Sequence, residues 1–151
     1  MCCHPLDDPD ATDRMYTRDA TSDDGWSWTW GQVVLGGRPD AWDARGARVS
    51  EVLLDRDPPV AYYDGRANAA ENWKERTGLA VADHDGTFAS VSDEPAAASP
   101  HGHRGLRYVS VVQVANGYRL YYEACRADGA HELRTELVPG EASVHRATLS
   151  S

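Results

Sequence analysis

Lysine is nearly missing from this chain: of fifteen basic residues only Lys74 is a lysine. Cysteine is scarce too, and two of the three cysteines (Cys2, Cys3) are adjacent, so a disulfide framework is excluded. Cys125, in an apolar-leaning stretch, reads as a core thiol, and a reducing cytoplasm is the expected compartment. No apolar run approaches the roughly 18 residues of a membrane-spanning helix. The opening MCCHPLDDPD has neither a basic nor an apolar region of the secretory kind, so no leader is expected. Positive charge is short overall: 15 basic residues face 24 acids, for a formal net charge of -9. A phosphate-backbone partner draws its affinity from Lys and Arg, so nucleic acid is not expected. A Gly-rich phosphate loop, a GxSxG elbow and an HExxH pair are all lacking.

The 151 residues that remain to be explained are 41% hydrophobic and 26% charged. That composition is globular, and the length suffices for one domain to bury a core without disulfides or metals. Sixteen of the acids are aspartate. An Asp-rich, Lys-poor surface fits either a GC-rich genome or adaptation to high salt, and composition does not separate the two.

Self-similarity is the strongest pattern. Asp24-Gly25 before Trp26 and Trp28 matches Asp85-Gly86 before Phe88, at an offset of 61. Arg48-Val-Ser-Glu-Val52 matches Arg107-Tyr-Val-Ser-Val111, and Val60-Ala-Tyr-Tyr-Asp64 matches Arg119-Leu-Tyr-Tyr-Glu123, at 59 to 60. A period near 60 is too long for the common helical repeats and suits four strands with their turns. Arg48 to Leu54, Val60 to Tyr63, Tyr108 to Val114 and Tyr118 to Tyr122 are short and rich in Val, Leu and Tyr, as strands are. Asp57-Pro-Pro59, Asp85-Gly86, Asn116-Gly117 and Asp128-Gly129 supply the turns, and Asn116-Gly117 is the clearest hairpin. At each Asp-Gly the aspartate is expected to cap the turn, the glycine to take positive φ and the following aromatic to anchor the hairpin. Trp26, Trp28 and Trp30 alternate, which predicts one strand face packed inside. A single helical turn fits within Ala67 to Trp73. The chain reads as all-β.

Four-stranded units repeated radially make a β-propeller. The chain then divides into outer strands of one blade (14–37), a complete blade (41–98), the next blade (102–138) and a tail or closing strand (139–151). That is about two and a half blades, whereas propellers use about 4 to 8. A partial propeller is therefore expected, as a fragment or truncated product, with a homodimer or a partner chain completing the ring. An ordinary β-sandwich with chance similarity between hairpins is the alternative.

Trp42-Asp-Ala-Arg-Gly-Ala-Arg-Val49, Tyr62-Tyr-Asp-Gly-Arg66, Glu71-Asn-Trp-Lys-Glu-Arg-Thr-Gly-Leu-Ala80, Leu106-Arg-Tyr108 and Tyr121-Tyr-Glu123 resemble the later blades of five-bladed propeller glycoside hydrolases. These are the arabinanase/xylosidase and invertase-like enzymes; the resemblance runs from about Arg14 to Pro139. It implies an active site at the axial end of the ring, where inner strands begin, and three carboxylates as acid, base or nucleophile, and helper. Hydrolysis needs two carboxyls flanking a glycosidic bond, one of them with a raised pKa. The resemblance lacks the early blades, which carry part of the carboxylate set.

On this reading Asp43, ahead of an inner strand and without a counterpart at Gly102, is the axial carboxylate, or else a turn cap. Glu71 and Glu75 lie in a polar loop that the next blade does not repeat, and such loops tend to carry binding residues. They are the other catalytic candidates; Glu75-Arg76 alternatively forms a surface ion pair. Arg45 and Arg48 hold an acid or sugar hydroxyls, or pair at a strand end. Asp64 and Glu123 recur after paired tyrosines, which suits substrate contact but suits a turn or inter-blade hydrogen bond better. Trp73 stacks on a sugar or lids the blade, and Arg76, Arg107 and Tyr108 complete the candidate substrate-binding set, with Arg104 beside it. His101-Gly-His103 and Cys2-Cys3-His4 are weak as metal ligands, so neither a metal nor another cofactor is expected. The function expected is carbohydrate hydrolysis by paired carboxylates. Its alternatives are a non-catalytic carbohydrate-binding or interaction module, or an unstable product without independent function.

Overall fold

The computed structural model describes Cys2–Cys3 and residues 14–139. Among the described residues ten strands run in chain order: β1 (Cys2–Cys3), β2 (Tyr16–Thr21), β3 (Thr29–Gly36), β4 (Gly46–Leu53), β5 (Val60–Arg66), β6 (Arg76–Ala82), β7 (Phe88–Ser90), β8 (Leu106–Val114), β9 (Gly117–Cys125) and β10 (His131–Pro139). The helical turn expected within 67–73 is a 3₁₀ turn at Ala69–Glu71. The chain is all-β. Its strands form three open antiparallel sheets, ordered β1-β2-β3, β4-β5-β6-β7 and β8-β9-β10. Among the described residues no helix is long and apolar enough to cross a membrane.

The repeat is visible in the register. Arg48 on β4 stands opposite Asp64 on β5, and Arg107 on β8 stands opposite Glu123 on β9. Both hairpins carry an irregularity just past the arginine, between Val49 and Glu51 and between Arg107 and Ser110. A bulge at that point bends the strand and re-aims the side chains beside it. The middle sheet alone among the described residues adds a fourth strand, β7.

The middle sheet is buried on both faces. On one face Tyr62 and Leu79 join Leu106, Val109, Leu120 and Tyr122 of the third sheet. On the other, Tyr63 and Ala80 join Leu35 of the first sheet, with Trp42 and Phe88 packed alongside. Because side chains alternate along a strand, β5 reads as a continuous buried run, as a strand covered on both faces should. Two glycines keep the approach close: a Cβ on Gly78 would meet the Tyr63 ring, and one on Gly65 would meet Trp42 and Asp43. Polar links tie the sheets. Thr17 Oγ1 donates to the Ala47 carbonyl, Thr77 Oγ1 to the Leu106 carbonyl at 2.9 Å, and the Val111 N–H to Glu51 at 3.0 Å.

The turns behave as expected in backbone; of their aromatics, Phe88 packs against the core as expected and the tryptophans of the first turn do not. Gly25 and Gly86 both take φ of +77°. Asp24 accepts the N–H groups of Trp26 and Ser27, whereas in the second turn Asp83, not Asp85, accepts those of Asp85 and Thr87. Trp26 anchors nothing: it is 91% exposed, and Trp28 and Trp30 are exposed as well. Trp26 lies in a bend and Trp28 just ahead of β3, so the alternation that would place three tryptophans on one strand face never starts.

Candidate functional site

The five acids of the expected site lie ahead of β4 (Asp43), at the end of β5 (Asp64), ahead of β6 (Glu71, Glu75) and near the end of β9 (Glu123), and each is met by an arginine. Glu75 is buried between two of them: Arg107 Nη1 donates to its Oε2 at 2.9 Å and Arg66 Nη1 lies 3.4 Å from its Oε1. Arg107 also donates to Glu123 at 2.6 Å. Glu123 in turn meets His131 Nδ1, and the other nitrogen of that ring lies 3.0 Å from His103 Nε2. Asp64, wholly buried, accepts from Arg48 at 2.8 Å and from the Tyr108 N–H at 2.9 Å. Glu71 accepts from Arg76 and from the Ala67 N–H.

Ionisation follows from these contacts. Burial pushes Asp64 upward from the usual carboxylate range, against the pull of Arg48 and the Tyr108 N–H. Burial acts upward on Glu123 too, but the hydrogen bonds from His131 and Arg107 outweigh it and hold this carboxyl low. For Arg107, burial acts downward and is overcome by its bonds to Glu123 and Glu75, so its charge is held more firmly than usual.

Over this charged layer stand two exposed aromatics. The Arg107 guanidinium carbon lies 5.2 Å from the Trp73 ring centre and 4.7 Å from that of Tyr108. Arg48 lies 4.4 Å from the same Tyr108 ring. Trp73 is 62% exposed and Tyr108 42%. Both have left-handed backbone, φ +69° and +57°, a conformation costing a bulky residue about 1 kcal/mol or more. The Trp73 loop is clamped at several points: Asn72 accepts from Arg66, Glu71 accepts from Ala67 and Arg76, and the Lys74 N–H donates to the Glu71 carbonyl. Tyr108 is held through its own N–H on Asp64. The backbone that carries both rings is therefore held at several points.

Asp43 belongs elsewhere. It is 1% exposed, accepts from Arg38 Nε at 3.0 Å and from the Tyr63 hydroxyl at 2.8 Å, and lines a cleft with Arg38, Phe88 and Ser90. Its Cβ abuts the position a Gly65 Cβ would take. Tyr63 and Gly65 share one face of β5, and Asp64 and Arg66 share the other. Asp43 and the Arg66-bound Glu75 thus lie on opposite faces of the middle sheet. Burial drives the Tyr63 hydroxyl well above the usual tyrosine range, so beside Asp43 it is a proton donor.

Of the residues expected from sequence, Asp64, Trp73, Glu75, Arg107, Tyr108 and Glu123 come together. Glu71 and Arg76 pair with each other and brace the loop, Arg76 lying 5.8 Å from the Trp42 ring. Arg45 lines a separate surface hollow with Asp40 and Asn68. Arg104 is exposed with φ +67°. Sequence reasoning passed over Arg66 and His131 as site residues; it read Cys125 as a core thiol, and Cys125 is a buried free cysteine. His131 faces Cys125 directly across the β9–β10 turn, and a Cys and a His flanking Asp128-Gly129 were the available signal. The side chains of His103, Cys125 and His131 present ligand atoms within 4.8 Å of one another, while His101 points to solvent. Cys2–Cys3 pairs with β2 through its backbone; His4 lies outside the described residues.

Comparison with protein-family models, with curated proteins and with solved structures finds no match.

Proposed function

We propose that the Trp73–Tyr108 face binds carbohydrate without hydrolysing it, and that the three sheets are blades of an incomplete propeller. The observation carrying the first part is the pair of exposed aromatic rings flanking Arg107, both on left-handed backbone. Strain of this sort persists where the surroundings over-determine it, and it concentrates at ligand sites. An exposed aromatic ring offers an apolar face to sugar C–H groups, and a rigid one loses little entropy on binding. Tyr108 Oη, Asn72 and Lys74 supply polar groups beside the rings.

Hydrolysis by the expected trio is less well supported. Asp43 and Glu75 sit on opposite faces of a sheet, and Glu75 is enclosed by two arginines that stabilise its ionised form. A glycosidase needs two carboxyls across one bond, with one held protonated. The propeller reading draws on the repeated Arg48–Asp64 and Arg107–Glu123 pairs and on the burial of both faces of the middle sheet.

Titration of the full chain with xylo-, arabino-, manno- and fructo-oligosaccharides tests this, read by tryptophan fluorescence and by reducing-sugar release. Saturable binding to one series, lost in Trp73→Gly and without sugar release, is expected. Binding to none of the four, or binding that Trp73→Gly leaves intact, overturns the reading. Sugar release abolished by Glu75→Gln restores hydrolysis in its place.

A further inference from the structure

We infer that His103, Cys125 and His131 form a site for one divalent d-block ion, with zinc the best chemical match. The site adjoins the aromatic face through Arg107 and Glu123, but its three ligands are separate residues and its test does not depend on what that face binds. Two ligands come from one hairpin, where Cys125, ending β9, and His131, opening β10, are direct cross-strand partners. The third comes from the turn before β8. There Gly102, at φ +53°, lies so close that an added Cβ would stand 2.7 Å from the Cys125 sulfur. The Ser99 hydroxyl donates to the Cys125 carbonyl, and the Cys125 N–H donates to Gly105 at 2.8 Å, pinning turn to strand.

The donors converge. His103 Nε2 and His131 Nε2 are 3.0 Å apart, and one ligand nitrogen from each ring and the Cys125 sulfur all lie within 4.8 Å of one another. Two nitrogens bound to tetrahedral zinc at about 2.0 Å each stand about 3.3 Å apart. Small side-chain shifts close the remaining difference. His131 already has the outer contact usual for a metal-bound imidazole: its Nδ1 donates to the Glu123 carboxylate, leaving Nε2 to face the ion. A thiolate with two imidazoles favours zinc or copper over magnesium or calcium. Three protein ligands leave one position for water, reached past the half-buried histidines.

Loading displaces protons. Cys125 releases its thiol proton to solvent, ending its 3.3 Å contact with the Arg126 carbonyl. Without metal, one of the facing Nε2 atoms carries the shared proton; with Nδ1 of His131 donating to Glu123, that is His103. On loading, this proton passes to His103 Nδ1, and the long 3.3 Å contact from the Gly105 N–H gives way to a small ring rotation. Arg107 opposes the ion's charge, with Nη2 3.4 Å from His131 Nδ1, but its own charge is matched by Glu75 and Glu123. Lys74, exposed at the rim, adds a second opposing charge, which acts on His103.

Cobalt(II) is the probe, on full-length chain carrying Cys2→Ser, Cys3→Ser and His4→Gln, so that Cys125 is the one thiol present. One cobalt per chain is expected, with tetrahedral d–d bands, a thiolate-to-metal charge-transfer band, and displacement of both by zinc. His103→Gln, a half-buried position, abolishes the bands while circular dichroism stays unchanged. Glu123→Gln weakens binding by about 10- to 100-fold, and His101→Gln and Trp73→Gly leave it unaltered. Absence of the charge-transfer band from the folded parent, or its persistence in His103→Gln, overturns the assignment.

Discussion

Arg107 and Glu75 meet at 2.9 Å although one lies on the third sheet and the other directly precedes β6 of the second. The same guanidinium reaches Glu123 on its own sheet, so one side chain joins the two sheets. A buried pair of this type adds little beyond what apolar packing would, but removing one partner strands the other's charge.

Arg107→Ala should therefore cost about 3–5 kcal/mol of stability, because Glu75 stays buried with Arg66 as its nearer remaining cation. Urea denaturation measures this. A loss below about 1 kcal/mol, the range of a surface pair, would show that water reaches Glu75 in the folded chain.

At position 73 the contrast between two small residues isolates backbone strain. Trp73→Gly and Trp73→Ala both remove the ring, but glycine accepts φ +69° without penalty. The glycine variant should be more stable than the alanine variant by about 1 kcal/mol. Equal denaturation midpoints would mean that the left-handed backbone is not retained once the ring is gone.

Asp43→Asn removes the charge facing Arg38 while keeping an acceptor for the Tyr63 hydroxyl. A loss of about 1–3 kcal/mol is expected, with sugar binding at the Trp73 face unchanged. If oligosaccharide affinity fell together with stability, the two faces of the middle sheet would be coupled.

The Asp24 carboxyl is drawn down to about 2 from 3.8 by the backbone N–H groups of Ser27 and Trp26. A depressed acid favours the folded turn fully above its unfolded pKa, and that contribution is lost as pH falls from about 4 through about 2. Carbon-13 NMR of the side-chain carboxyl should place its midpoint near 2, with the Trp26 and Ser27 amide signals moving in step. A midpoint near 3.8 would show that the capped turn is not populated.

Much of the fold was legible because its signals are local. Val, Leu and Tyr runs marked β4, β5, β8 and β9, and Asn116-Gly117 marked the hairpin between the last two. The site was legible only in pieces. Asp64, Glu123, Arg107 and Tyr108 could be marked by their place in the repeat, and Trp73 by its unrepeated loop. Their partners come from other sheets: Tyr108 N–H on Asp64 spans 44 residues and Arg107 on Glu75 spans 32. The tryptophan alternation misled because the strand begins only at Thr29, after the Asp24 turn has turned Trp26 to solvent.

By itself the sequence determined what depends on neighbours in the chain: an all-β composition, turn positions, and a 60-residue repeat with an arginine and an acid at matching places in each copy. Only the tertiary structure decided which side of β5 each carboxylate occupies. A strand sends successive side chains to opposite faces, and which face meets which sheet is settled by packing at long range. That parity separates Asp43 from Glu75, while packing of loops against the sheets sets Trp73 and Tyr108 around one arginine and brings His103 to Cys125 and His131.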